Sequence, residues 1–130
     1  MNNIDNLIEN LNKEQKEAVL NTEGPNLIVA GAGSGKTRVL TTRLINIIYQ
    51  KKAWPNQILC VTFTNKAAKE MQNRVMQFLK GSSNAVPWLG TFHSISVKFL
   101  RRHAEALEYK SNFTILDTDD QKKLIRNIVK

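Results

Sequence analysis

Cysteine is almost absent: Cys60 stands alone among 130 residues, so an internal disulfide framework is excluded. Cys60 lies in the apolar run Ile58–Phe63, which reads as a buried strand, and a reducing, cytoplasmic setting is the expectation. Long apolar stretches are missing too. None nears the roughly 20 residues that cross a bilayer, so no membrane partner is expected. Met1 to Asn12 is polar and acidic, unlike a secretory or transit peptide. Histidine is scarce, and Cys60, His93 and His103 lack the spacing of metal ligands. No repeat, low-complexity tract or flexible linker interrupts the chain, whose length suits one domain.

The scarcest feature of the middle of the chain is negative charge. Between Gly24 and Ala104 there are twelve Lys or Arg residues and one acid, Glu70. The ends carry seven bases and ten acids, so the net charge of +8 belongs to the central segment. One-signed bias of this kind fits a polyanion partner, nucleic acid before others, against a merely soluble basic surface.

What is present in that segment is a glycine-rich loop. Ala30-Gly31-Ala32-Gly33-Ser34-Gly35-Lys36-Thr37 follows the apolar run Leu27-Ile28-Val29. It fits G-x-x-x-x-G-K-[ST] except at the first position, where Ala30 replaces glycine. Its glycines let successive backbone N–H groups point at one anion, at the positive end of the following helix. Lys36 is then expected to reach the β- and γ-phosphates of ATP, and the Thr37 hydroxyl to ligate Mg²⁺.

Periodicity places the remaining elements. Asn12 and Gln15 have the spacing of a capping box, opening a helix that runs to about Leu20. Asn26–Ala30 reads as a short buried strand. Arg38–Gln50 carries a helical apolar face of Val39, Leu40, Leu44, Ile47 and Ile48. Ile58–Phe63 reads as a second strand. Asn65 is expected to cap a helix through Ala67, Met71, Val75, Phe78 and Leu79, ended by Gly81-Ser82-Ser83-Asn84. An extended piece, Val86–Thr91, leads to a helix through Ile95, Phe99, Leu100 and Leu107. Phe113–Leu116 is extended, and Asp117 caps a last helix with Leu124, Ile125 and Ile128. Strands alternating with helices call for an α/β fold with a mainly parallel sheet.

Several motifs admit two uses. The Gln15 amide can close the capping box or pair with the N6 and N7 edge of adenine. Thr62-Phe63-Thr64-Asn65 follows the second strand, at the end where open α/β sheets bind ligands. There Phe63 can stack on a base and Thr62, Thr64 and Asn65 can contact phosphates, or Phe63 is core and Asn65 a cap. Gly90-Thr91-Phe92-His93-Ser94 repeats the arrangement, with Lys98, Arg101 and Arg102 following on one helix. Asp117 after Phe113–Leu116 is either a magnesium-binding strand end or the cap of the last helix.

These motifs, in this order and spacing, resemble the UvrD/Rep/PcrA-type superfamily 1 DNA helicases. Leu11-Asn12-x-x-Gln15 resembles that family's Q motif and Ala30–Thr37 its motif I. Thr62–Ala68 and Gly90–Ser94 look like motifs Ia and Ib. Phe113-x-Ile115-x-Asp117 resembles the entry to the family's inserted helical subdomain, which favours the capping use of Asp117. The resemblance implies a P-loop, RecA-like fold, with residues 1–112 belonging to the first motor domain and 113–130 starting the inserted subdomain. It implies an ATP-dependent motor that moves 3′→5′ on single-stranded DNA and opens duplex at junctions, in repair or replication with accessory proteins. Gln15 and Arg38 would meet adenine; Ala30, Gly31, Ala32, Gly33, Ser34, Gly35, Lys36 and Thr37 would cradle the phosphates and Mg²⁺. Lys36 and Thr37 are the catalytic members. Thr62, Phe63, Thr64, Asn65, Thr91 and His93 would line the DNA. The family's Asp-Glu motif II and its arginine motifs have no counterpart here, so these residues alone are expected to be inactive. The alternatives are a helicase–nuclease motor of RecB or AddA type, a nucleotide-dependent binding module without motor activity, and a small P-loop kinase, for which no lid or acceptor site is evident.

Overall fold

A computed structural model describes residues 4–79 and 86–129. The chain forms two compact units, Met1–Ile95 and Ser96–Lys130. The break falls inside a helix, so it partitions packing and does not address the subdomain boundary expected after residue 112.

The first unit opens with α1 (Ile4–Glu9), which the polar composition of this stretch conceals. Its Ile4 is buried in the main core, with Ile8 packed alongside. Helix α2 (Lys13–Leu20) starts on the expected capping box: Gln15 N donates to Asn12 Oδ1 at 2.9 Å, and Asn12 N to Gln15 Oε1 at 3.1 Å. Helix α3 (Lys36–Tyr49) packs against both. Leu44 and Ile45 enter the main core, and Val39 joins Leu11 and Val19 in a smaller cluster. Leu40, expected on the apolar face, is exposed, while Thr41, Thr42 and Asn46 are buried. The buried Asn46 is satisfied, donating to Val19 O at 3.2 Å and accepting from Gln50 Nε2 at 3.0 Å.

A 3₁₀ turn at Pro55–Gln57 leads into β1 (Leu59–Thr62), then α4 (Asn65–Phe78) and β2 (Trp88–Thr91). The two strands pair in parallel, Cys60 opposite Leu89 and Thr62 opposite Thr91, with α4 as the crossover. Met71 and Val75 of α4 pack with Cys60 and Leu89 to complete the core. Burial pushes the Cys60 thiol pKa up. The cap of α4 is Thr64, whose Oγ1 accepts from Ala67 N at 3.2 Å; Asn65, expected as the cap, is the first helical residue. The Gly81–Asn84 stop lies outside the described residues.

One expected element does not form. Asn26–Ala30 has no ladder partner among the described residues, and Leu27 and Val29 are 91% and 89% exposed. A strand of a parallel sheet is buried by neighbours on both sides. The only paired strands described are β1 and β2, and neither reaches this segment.

Helix α5 (Phe92–Arg102) ends the first unit and opens the second. It does not run on to Leu107. The His103 N–H is shared between Phe99 O and Leu100 O, each at 3.2 Å, and the chain tightens into a 3₁₀ turn at Ala104–Leu107. The last helix, α6 (Thr118–Ile128), is capped by Asp117, whose carboxylate accepts from the Asp119 and Asp120 N–H groups. No residue of α6 is buried; Leu124, Ile125 and Ile128 stay exposed. No described helix is long and apolar enough to cross a membrane.

Candidate nucleotide and nucleic-acid site

The glycine-rich loop ends at Gly35, the N-cap of α3, which sits at φ +81° where a side chain would be strained. No side chain caps this helix and its first turn holds no acid. Lys36 and Arg38 stand there instead, the reverse of the charge that a helix N-terminus prefers. The first N–H groups of any helix lack intrahelical partners. An uncapped, cation-bearing helix start is chemically suited to take an anion from outside.

The loop is held from within and from α2. Lys36 Nζ donates to Ala30 O at 3.0 Å and Gly31 O at 2.6 Å. Ser34 Oγ donates to Gly31 O, and Thr41 Oγ1 to Thr37 O. Gln15 Nε2 donates to Ser34 O at 3.0 Å while its Oε1 completes the capping box. The same amide thus closes α2 and ties it to the loop. Arg38 Nη2 donates to Asn10 O at 3.1 Å, in the turn between α1 and α2. A cleft of about 460 Å³ opens between α2, the loop and α3, lined by Gln15, Ala18, Ile28, Ser34 and Lys36 among others.

Arg43, which the sequence offers no reason to single out, holds the other end of α2. Its guanidinium donates to Ala18 O and Asn21 O, the last carbonyls of that helix. Arg and Lys are favoured at helix C-termini for this reason. Two residues of α3, Arg43 and Asn46, therefore fix the C-terminal end of α2, and the loop fixes Gln15 near its start.

At the ends of the parallel strands the two Thr-Phe pairs meet side by side. The register sets Thr62 against Thr91, so the next residues, Phe63 and Phe92, emerge together. Their ring centroids lie 5.0 Å apart at 43°. Phe63 is 86% exposed and Phe92 46%, so Phe63 lies outside the core that the described residues form. Asn65 and His93 are exposed beside them in sequence. Thr91 is buried, its Oγ1 accepting from Ser94 N at 3.1 Å, and Thr64 is spent as a cap. Gly90 permits this close packing: a Cβ there would lie 2.6 Å from Ser94 Oγ and 3.3 Å from Ile95. Phe92 was absent from the residues expected to face DNA, although its place after Thr91 mirrors that of Phe63 after Thr62.

A family model described as the UvrD/REP helicase N-terminal domain matches residues 11–130. The chain belongs to this family. It is similar to an ATP-dependent DNA helicase PcrA of Staphylococcus epidermidis, 53% identical over 95% of this chain. The PcrA helicase of Staphylococcus aureus is 52% identical over the same share. The chain spans 17% of the length of these relatives. As a UvrD/REP N-terminal segment, it carries within the matched region the capping box of α2, the glycine-rich loop and both Thr-Phe pairs. Helix α1 lies ahead of it.

Proposed function

We propose that this chain is the ATP-binding and single-stranded-DNA-contacting part of an ATP-dependent 3′→5′ DNA helicase acting in repair or replication, in the cytoplasm. The observation that carries the nucleotide half is the start of α3, a glycine N-cap without side-chain cap or acid but with two cations in the first turn. The fold in this reading is a P-loop, RecA-like domain through residue 112, with the inserted helical subdomain starting at 113.

The residues present fit ATP·Mg²⁺. Loop amides from Ala30 to Thr37 and the Lys36 ammonium would hold the phosphates, with the Thr37 hydroxyl on the metal. Gln15 and Arg38 would face the base across the cleft. Bound ATP supplies the free energy of phosphoanhydride cleavage. Lys36 now donates to two neutral carbonyls, and a phosphate oxygen, being itself ionised, is a stronger acceptor for the same ammonium. Gln15 must release Ser34 O, the Asn12 N–H, or both to offer its amide to adenine. On the strand ends, Phe63 would stack on a base. Asn65, His93, Thr62, Thr64 and Thr91 belong to the same track, the last two through the backbone turns they hold in place.

Isothermal titration of the 130-residue chain with a non-hydrolysable ATP analogue and Mg²⁺ tests the nucleotide half. Lys36→Ala should remove most of the affinity. Equal affinity for the two proteins would sink the assignment. Melting curves of both proteins guard against an effect on folding.

A further inference from the structure

We propose that Phe92 is a positioning residue for single-stranded DNA: its ring sets the angle of Phe63, so that the two form one stacking platform at the strand ends. The inference rests on the reading of this edge as a DNA track, and it adds a residue that reading does not contain.

Three observations carry it. First, the parallel register delivers both rings to the same place, each as the residue that follows a paired threonine. Second, the pairing geometry is that of interacting aromatics: a centroid separation of 5.0 Å and a tilt of 43° fall within the range such pairs favour. Third, the pair is not core. Phe63 exposes 86% of its surface and has no place in either buried cluster. A ring this exposed would sample several rotamers unless something held it. Phe92, anchored as the first residue of α5 and roughly half-covered, is the ring in contact with it.

The charge of the sequence segment that holds both rings, together with the rings themselves, names the occupant as a nucleobase on a polyanionic strand. Every base offers a π-face, so a stacking platform binds without sequence preference. The segment that contains both rings carries twelve bases and a single acid, and that acid, Glu70, is paired with Arg74 at 2.6 Å. Lys66 lies three residues beyond Phe63. An apolar protein partner would not call for this charge. A polyphosphate lacking bases would not call for the rings.

The test uses the 130-residue chain and oligo-dT carrying one 2-aminopurine, with binding followed by anisotropy and stacking by quenching of the reporter base. The variants are Phe92→Leu, Phe92→Tyr, Phe63→Leu and the Phe63→Leu/Phe92→Leu pair, each at several salt concentrations and each checked by thermal melting. Phe92→Leu should weaken binding about two- to tenfold, the range that aromatic pairing is worth, and should reduce quenching with the salt slope unchanged. Phe92→Tyr should restore both. The double variant should bind as Phe63→Leu alone does, because Phe92 acts through Phe63. If Phe92→Leu melts too low to assay, Phe92→Met is read by the same criteria.

Wild-type affinity in Phe92→Leu, with binding lost in Phe63→Leu, overturns the positioning role and leaves the DNA track standing. Additive losses in the double variant overturn the claim that Phe92 works through its neighbour. Wild-type affinity in both single variants, with a steep salt slope, overturns the platform and leaves only a basic surface. Failure of the wild-type chain to bind the oligonucleotide at low salt overturns this inference and the track together.

Discussion

Gly90 is where a single missing side chain matters most for stability. The strand-to-helix turn brings Ser94 Oγ to 2.6 Å and Ile95 to 3.3 Å from where a Cβ would sit. Gly90→Ala should therefore destabilise the chain by about 1–3 kcal/mol, as overpacking generally does. Urea unfolding measures it, and adding Ser94→Ala should recover only part of the loss because Ile95 remains in the way. The Glu23 carboxyl makes stability depend on pH. Lys52 bonds Glu23 at 2.6 Å and holds its carboxyl pKa below the usual glutamate range. A lowered folded pKa contributes stability above the unfolded pKa, and that contribution is lost as pH falls through the folded value. The carboxyl is fully exposed, so the effect is small. In low salt, any Tm advantage of the native chain over Glu23→Gln at neutral pH should vanish in acid; an advantage that grew in acid would contradict the ion-pair account.

Helix α2 shows how an element can be written plainly in a sequence while its attachments are not. Its start was legible because Asn12 and Gln15 are three apart, and a capping box is a local device. Its fastening was not: Arg43 and Asn46 reach it from more than twenty residues away, and no local pattern marks such a pair. The strand–helix alternation around β1, α4 and β2 was equally legible from periodicity, as was the Asp117 cap. Helix α1 was hidden by its polar composition, with Ile4 and Ile8 as its only inward residues. The extended run 26–30 misled for the opposite reason. Its apolar residues describe a buried strand, and burial depends on neighbours that these described residues do not supply. Among the candidate site residues, the loop and Phe63 are proposed from motif and position, whereas Phe92 needed the register. Asn12→Ala should cost about 1 kcal/mol, the usual worth of an N-cap. Arg43→Ala should lower Tm and also weaken nucleotide binding, since releasing α2 frees Gln15; a drop in Tm with unchanged affinity would show that the two ends of α2 are independent.

The charge distribution and the motifs both suit the proposed nucleic-acid partner, and the activity expected of these residues follows from which groups they contain. The chain has the glycine-rich loop proposed to hold phosphates but no adjacent Asp-Glu pair. An arginine supplied to the transition state is itself worth about 10³–10⁵ in rate, and the family's arginine motifs have no counterpart here. ATP turnover by these 130 residues should stay near background with or without single-stranded DNA. Robust hydrolysis abolished by Asp117→Asn would instead give that carboxylate a metal-binding role. The exposed ribbon at 26–30 has a consequence in the time domain. It is fastened at its near end by Asn26, whose amide bonds Asn21, Glu23 and Gly24, and at its far end by Lys36 on Ala30. Between those points the amides of Leu27, Ile28 and Val29 lack the ladder bonds that slow exchange with solvent. In deuterated buffer they should label almost as fast as an unfolded peptide, while β1 and β2 label slowly. Saturating nucleotide should slow Ala30 and the loop first, leaving Leu27 fast: a protection front that stops where the phosphates stop.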